Sequence, residues 1–197
     1  MNMEKYREEL KQKLIESAAK VVYTYTAHWK IVDRLQYWNR IIKITQFSLI
    51  GISSCGLLSI LFDGFPYSKA IIGICSFLSL STTLYSLNFN LPDQIKQHTN
   101  AANELWYIRE LYVSLITDFD ILRLEEIQIK RDKLTEKTNH VNKTYPGTDA
   151  KSYEEARKAL QQQEEQTFNK GEAEKILNLK TNSCFNEKDA QSSNMQK

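Results

Sequence analysis

Small and polar residues recur at helical spacing inside two stretches that contain no charged residue. At about 100° per residue, those of the later stretch fall within about 80° of one helix face and those of the earlier stretch within about 120°. The later set is Ser76, Ser79, Thr83, Ser86 and Asn90, and the earlier set is Thr45, Ser48, Gly51, Cys55 and Ser59. A hydroxyl in hydrocarbon needs a hydrogen-bond partner, which its own helix, a neighbouring helix or water can supply. Three roles therefore stay open: helix packing within or between protomers, the lining of a water-filled path, or bonding to the helix's own backbone.

Two of the three histidines flank these stretches. Counting outward from the midpoint between the stretches, His28 is expected to face Asn103, and His98 is expected to lie near Asp33 or Arg34. We predict hydrogen-bonded histidines in a helix seam, because no cysteine or carboxylate stands at the spacing of a metal site. Arg109 is a further candidate polar residue of the same seam.

Other catalytic and ligand-binding motifs are missing from the sequence. With only six glycines, the chain has no glycine-rich phosphate loop, and no catalytic triad or paired carboxylates can be argued. We predict no catalytic, cofactor or metal site, and not an enzyme. The basic cluster at Lys130, Arg131 and Lys133 is interrupted by Asp132, which favours a solvated helix face, so no direct nucleic-acid binding is predicted.

The two uncharged stretches themselves predict membrane spans. They cover about residues 44–62 and 70–90, and each is long enough as a helix to cross the roughly 30 Å of a bilayer's hydrocarbon core. The intervening residues 63–68 form a turn too short for a domain. We therefore predict an all-α membrane protein built on a two-transmembrane helical hairpin, with the lipid bilayer as a partner.

The spans also limit the kinds of membrane function. Without a charge in mid-span, a proton relay, a voltage sensor and an ion-coupled transporter are disfavoured, whereas a pore gated by wetting is permitted. A single hairpin cannot enclose a pore, so conduction would require a homo-oligomer. Cys55 and Cys75 are expected to be small packing residues.

Apolar residues at alternating steps of three and four continue from both spans and predict long antiparallel helical arms with coiled-coil spacing. Without Gly or Pro before Gly51, the first arm and first span are expected to form one helix. The first seam is Leu14, Ala18, Val21, Tyr25, His28, Val32, Leu35 and Ile42. The second seam is Ala102, Leu105, Ile108, Tyr112, Leu115, Phe119, Leu122 and Ile129.

Basic residues set the expected orientation. Lys30, Arg34, Arg40 and Lys43 precede the first span, so the positive-inside rule places both termini in the cytoplasm of a multi-pass protein of the cell inner membrane. No apolar segment with a cleavage site occurs early in the chain, so no cleaved signal peptide is expected.

The chain divides into four parts. Residues 1–138 form the two-transmembrane domain, and residues 139–149 form a linker that contains Pro146-Gly147. Thr148 or Asp149 can cap a helix over 150–180, which is expected to pack weakly or to project. The polar residues 181–197, which include Cys184, are expected to be disordered.

Short stretches of the arms resemble the SLATT family over about residues 5–130. The entry arm carries Tyr23-Thr24-Tyr25-Thr26-Ala27-His28. The exit carries Asn88-Phe89-Asn90-Leu91, then His98-Thr99-Asn100-Ala101-Ala102 and Leu105-Trp106-Tyr107-Ile108-Arg109-Glu110-Leu111. The residues beyond 140 lie outside this similarity. SLATT proteins are two-transmembrane effector domains associated with bacterial nucleotide-signalling defence systems.

The resemblance implies a pore-forming effector of antiviral defence that causes abortive infection. Its expected partners are a signal-generating nucleotidyltransferase or reverse transcriptase encoded nearby, and a cyclic nucleotide is an expected ligand. The alternative is a membrane-anchored scaffold that recruits a cytosolic partner through its helical arms.

Overall fold

A computed structural model describes residues 3–61 and 67–163 together with residues 172 and 176, and the side chains of 56–61 and 68 are not described. Within these ranges the chain is mostly helical and contains no strand, so the all-α prediction is confirmed. The predicted turn at 63–66, the side chain of Ser59, most of 164–180 and the whole of 181–197 lie outside the described residues. The helices are α1 (Met3–Leu61), α2 (Ser68–Phe89), α3 (Leu91–Thr117), α4 (Leu124–Thr144) and α5 (Ala150–Gln161).

Helix α1 runs without interruption from the charged first arm into the uncharged stretch. It contains 59 residues, and its first 48 include neither Gly nor Pro, so no backbone position weakens the helix before Gly51. The prediction of a single helix for the first arm and first stretch is confirmed over the described residues.

One residue, Asn90, separates α2 from α3. Its backbone is left-handed, with φ 38° and ψ 52°, and it is the only non-glycine residue of the described chain with positive φ. Asparagine tolerates this conformation better than most residues. Its N–H donates to Ser86 O (3.2 Å), and Pro92 stands in the first turn of α3, where its missing N–H costs least. A new helix therefore starts here, and Asn90 is a junction residue rather than a member of a helical face.

Helices α1, α3 and α4 pack together around one apolar core. Contacts between α1 and α3 run antiparallel, since Arg7 reaches Phe119 while His28 reaches His98. Residues from all three helices form the buried cluster, among them Leu14, Val21, Leu105, Ile108, Tyr112, Leu115, Ile127, Leu134 and Val141. The two predicted seams are therefore confirmed as packing surfaces along most of their length.

The prediction of the second seam is wrong at its C-terminal end. Instead of continuing through Ile129, α3 ends at Thr117 and the chain folds back into α4, which leaves Ile129 57% exposed. The Arg7 guanidinium donates to the carbonyls of Phe119 (2.9 Å) and Leu122 (3.3 Å), and so satisfies backbone acceptors in the connection between α3 and α4. Helix α4 then begins where the Arg123 N–H donates to the Glu126 carboxylate (3.1 Å).

One helical segment of the described residues, Lys69–Thr117, is long and apolar enough to cross a membrane. Only 6% of its most apolar window is buried inside the protein, so this window is not a protected core helix. The predicted first span corresponds to the end of α1, where side chains are described only as far as Cys55.

A matched pair of isoleucines on α4 tests the packing of the arms. Ile127 is fully buried, whereas Ile129 is 57% exposed. We expect Ile127→Ala to lower the free energy of unfolding by about 2–5 kcal/mol, because it removes apolar contacts and leaves a cavity in the core. Ile129→Ala should lower it by much less. Thermal unfolding of the full chain in detergent, followed by circular dichroism, measures both. Equal losses from the two variants would contradict the described position of α4.

Candidate functional site

The two seam histidines meet where α1, α3 and the start of α5 come together. His28 Nδ1 and His98 Nδ1 are 2.8 Å apart, and both side chains are buried. The ring centroids are 5.0 Å apart. At this distance one ring donates the hydrogen and the other accepts it, so at least one of the two rings is neutral.

The expected pairing of His28 with Asn103 is wrong, and Asn103 is exposed. Counting residues from the turn fixes only the level at which two antiparallel helices meet. Because His98 and Asn103 are five residues apart, they point about 140° away from each other around α3, and only His98 faces α1. Arg109 also points away from the pair: it contacts Glu110 and lies over the Trp106 ring at 4.6 Å.

Burial governs the charge of the pair. It is the main cause that lowers the pKa of His28 from 6.5 to about 4, and the neighbouring His98 lowers it further. Burial also lowers the pKa of His98, while the Asp149 carboxylate opposes this shift and the Arg34 guanidinium adds to it. Both rings are therefore held neutral at neutral pH.

Helix α5 begins beside the histidines. The Asp149 carboxylate accepts a hydrogen bond from the Ser152 N–H (2.7 Å), which caps the helix and is the main cause of a lowered Asp149 pKa. Arg34 of α1 binds the same carboxylate and lies 4.0 Å from that of Glu155. Of the two predicted caps, Asp149 is the one used.

Helix α5 packs against α1 rather than projecting from the protein. Its buried face consists of small residues, Ser152, Ala156 and Ala159, which allow a close approach of the two helices. Tyr153 stacks on Tyr23 of α1 with ring centroids 5.6 Å apart, and Gln161 Nε2 donates to the Tyr23 hydroxyl (2.8 Å).

Polar residues also line the contact between α1 and α2, which pack together. The sides turned toward each other are half-buried: Gln46, Leu49 and Ser53 on α1, and Cys75, Ser79, Thr82 and Ser86 on α2. Gln46 Nε2 lies 3.5 Å from Thr83 Oγ1 at the edge of this contact. Ser79 and Ser86 of the predicted α2 set therefore face α1.

The rest of the predicted polar set lies on open faces. Thr45, Ser48, Gly51 and Cys55 are exposed, and a Cβ added at Gly51 would meet no atom within 4 Å. Ser76 and Thr83 are exposed on α2, beside the α1-facing side. The α1 set thus points away from α2, and no other described residue covers it.

Several hydroxyls of the apolar helices bond to their own backbone. Thr83 Oγ1 donates to Ser79 O (2.8 Å), Ser81 Oγ to Phe77 O (2.9 Å) and Ser54 Oγ to Ile50 O (2.9 Å). Such bonds lower the cost of placing a hydroxyl against lipid. They leave the oxygen lone pairs free to accept a further hydrogen bond.

The described residues offer little for other chemistry. They contain no group of three or more His, Cys, Asp or Glu residues that could hold a metal ion. A groove of about 500 Å³ between α3 and α4 carries both signs of charge, since it is lined by Glu104 and Glu136 and by Lys133 and Lys137. In the basic cluster, Arg131 binds Asp132, in keeping with a solvated helix face.

The all-helical fold and the exposed apolar segment Lys69–Thr117 point to a membrane protein. The model of the SMODS and SLOG-associating 2TM effector domain family 4 matches residues 10–172, and the chain belongs to this family. The SLATT resemblance is therefore confirmed, and membership implies a 2TM effector of bacterial defence and signalling systems. The match includes α4 and α5, beyond the limit of residue 130 expected from the short motifs. Comparisons with curated proteins and with solved structures found no match.

The attachment of α5 is testable through its cap. Asp149→Ala removes both the helix cap and the partner of Arg34, so we expect α5 to lose about 1–2 kcal/mol of local stability. Amide hydrogen exchange across Ala150–Gln161 should then become about five- to thirtyfold faster. Lys151→Ala, at an exposed position of the same helix, serves as the control. Unchanged protection in the Asp149 variant would contradict the described docking of α5.

Proposed function

We propose that this protein is a pore-forming effector of bacterial antiviral defence, which assembles in the inner membrane and causes abortive infection. The observation that carries the proposal is the open polar face of α1, Thr45 to Cys55, in the uncharged part of this helix, where no described residue covers that side. Membership of a 2TM effector family supports the role in bacterial defence.

In the proposed topology the end of α1 and the whole of α2 cross the bilayer, and both chain termini lie in the cytoplasm. Large apolar side chains with more than half of their area exposed support this placement, because water would solvate them poorly. They are Ile44, Phe47, Ile50, Ile74, Phe77, Leu80, Leu84 and Leu87. Exposed Tyr37 and Trp38, just before the first span, suit the level of the lipid headgroups.

The pore itself requires several copies. Two helices cannot enclose a channel, so the open faces of α1 and α2 meet neighbouring protomers or line the opening between them. Hydroxyls already bonded to their own helix, such as that of Thr83, tolerate both lipid in a resting state and water in an open state. The absence of charge along the described part of these faces fits a weakly selective path gated by wetting.

The trigger acts through the cytoplasmic helices in this proposal. A cyclic nucleotide made by a nearby nucleotidyltransferase, or a partner such as a reverse transcriptase, would bias the α1–α3–α4 bundle. The scaffold alternative uses the same bundle as a recruitment surface and needs no pore.

Leucine substitutions separate the two functions. We expect the double variant Ser76→Leu/Thr83→Leu to abolish depolarisation, because it replaces two hydroxyls on the open face of α2 with bulky apolar groups. The control is Ser81→Leu, which alters an exposed serine on the opposite side of the same helix and should leave depolarisation intact. Cells that express each variant with the neighbouring genes are followed with a potential-sensitive dye after phage infection.

The results discriminate as follows. The pore is supported if the wild type and the Ser81→Leu control depolarise the membrane and the double variant does not. An intact membrane potential during a confirmed defence response by the wild type would reject the pore and favour the scaffold. Membrane extraction of each variant checks that it is inserted.

A further inference from the structure

We propose that His28 and His98 form a proton-operated latch, which holds α1 and α3 together at neutral pH and releases them when the cytoplasmic side becomes acidic. The inference concerns the conformation of the arms. It goes beyond the proposed pore and does not depend on it.

The geometry of the contact limits the number of protons it accepts. With the two Nδ1 atoms 2.8 Å apart, one hydrogen fits between them. If both rings are protonated, both Nδ1 atoms carry a hydrogen, and two N–H groups and two positive charges face each other. The side chains are only 4% and 6% exposed, so water cannot enter to screen this repulsion unless the helices separate.

The surrounding charges are largely balanced. Arg34 from α1 faces the pair, and so does Asp149 from the start of α5, with opposite effects on the proton affinity of His98. Arg34 also contacts Glu155 of α5, and α3 contributes His98 itself. Because Arg34 and Asp149 bind each other, neither dominates, and burial decides the charge state of the pair.

The position of the pair gives its release a structural effect. His98 lies in the second turn of α3, soon after the Asn90 junction with α2. Asp149, which caps α5, lies close enough to influence His98. Protonation of both rings would therefore loosen α3 from α1 next to the apolar helices and weaken the docking of α5 at the same place.

The direction of the pH effect follows from the proton affinities. A histidine exposed by separation of the helices has an ordinary pKa of 6.5, whereas in the closed arrangement the pKa of His28 is about 4. The closed arrangement is therefore most stable above pH 6.5 and loses stability as the pH falls toward 4. Between pH 7.5 and 5.5 the titration of His28 alone should raise the ratio of open to closed molecules about tenfold, and the titration of His98 adds to this rise in the same direction.

Spin labelling of the full chain in lipid nanodiscs tests the latch. Cys55, Cys75 and Cys184 are replaced by Ser, and labels are placed at the exposed Asp33 of α1 and Gln97 of α3. Pulsed electron resonance then measures the distance between the labels at pH 7.5 and 5.5. We expect the ratio of molecules with the longer distance to molecules with the shorter distance to be at least about tenfold higher at pH 5.5 than at pH 7.5.

Asparagine variants assign the effect to the pair. Asparagine keeps a hydrogen-bonding group near the position of Nδ1 but does not titrate, so His28→Asn/His98→Asn should show no pH dependence. His140→Asn, at an exposed histidine of α4, should behave like the parent. A parent whose distances do not change with pH, or an equal change in the double variant, would overturn the proposal.

A measurement on the unsubstituted chain covers the case in which the double variant does not fold. Nuclear magnetic resonance of ¹⁵N-labelled histidine rings follows the protonation of His28 and His98 directly. We expect both rings to stay neutral in the closed arrangement and to gain protons only together with helix separation. Full protonation of both rings while α1 and α3 remain in contact would also overturn the latch.

Discussion

All four of the other described helices contact α1, so the structure depends on the continuity of this 59-residue helix. Its first half supplies Leu14 and Val21 to the core of the bundle, and its last part packs against α2. With neither Gly nor Pro in its first 48 residues, the helix has no point at which the two regions could move independently. A rotation of α1 in the bundle would therefore be carried into its apolar part, which packs against α2.

Much of this arrangement could be predicted from local patterns. Apolar spacing identified the seam residues from Leu14 to Val32 and from Leu105 to Phe119, since a buried helix face leaves a periodic trace in the sequence. The reversal between α3 and α4 left no such trace. Apolar residues continue at helical spacing across it, and the stabilising partner, Arg7, is more than 100 residues away in the chain. Long-range hydrogen bonds of this kind cannot be derived from spacing alone.

The candidate site, too, could be predicted from the sequence only in part. Both histidines could be identified from their seam positions, but their mutual contact depends on which side of α3 faces α1, and a count of residues does not determine that. The docking of α5 was missed because its buried face uses Ser152, Ala156 and Ala159, residues too small to stand out as an apolar stripe. The polar faces of the spans were found by spacing, and the structure separates them into a side that packs, with Ser79 and Ser86, and an open side on α1.

The left-handed backbone at Asn90 makes α3 a lever. Two torsion angles at a single residue set the direction of a helix of 27 residues, which is about 40 Å long. A tilt of only about 10° at this pivot would sweep the far end of α3 through roughly 7 Å, which is more than one helical turn. A small change in the backbone angles of Asn90 would thus produce a large displacement at the far end of α3, and a force applied at that end would be transmitted to α2.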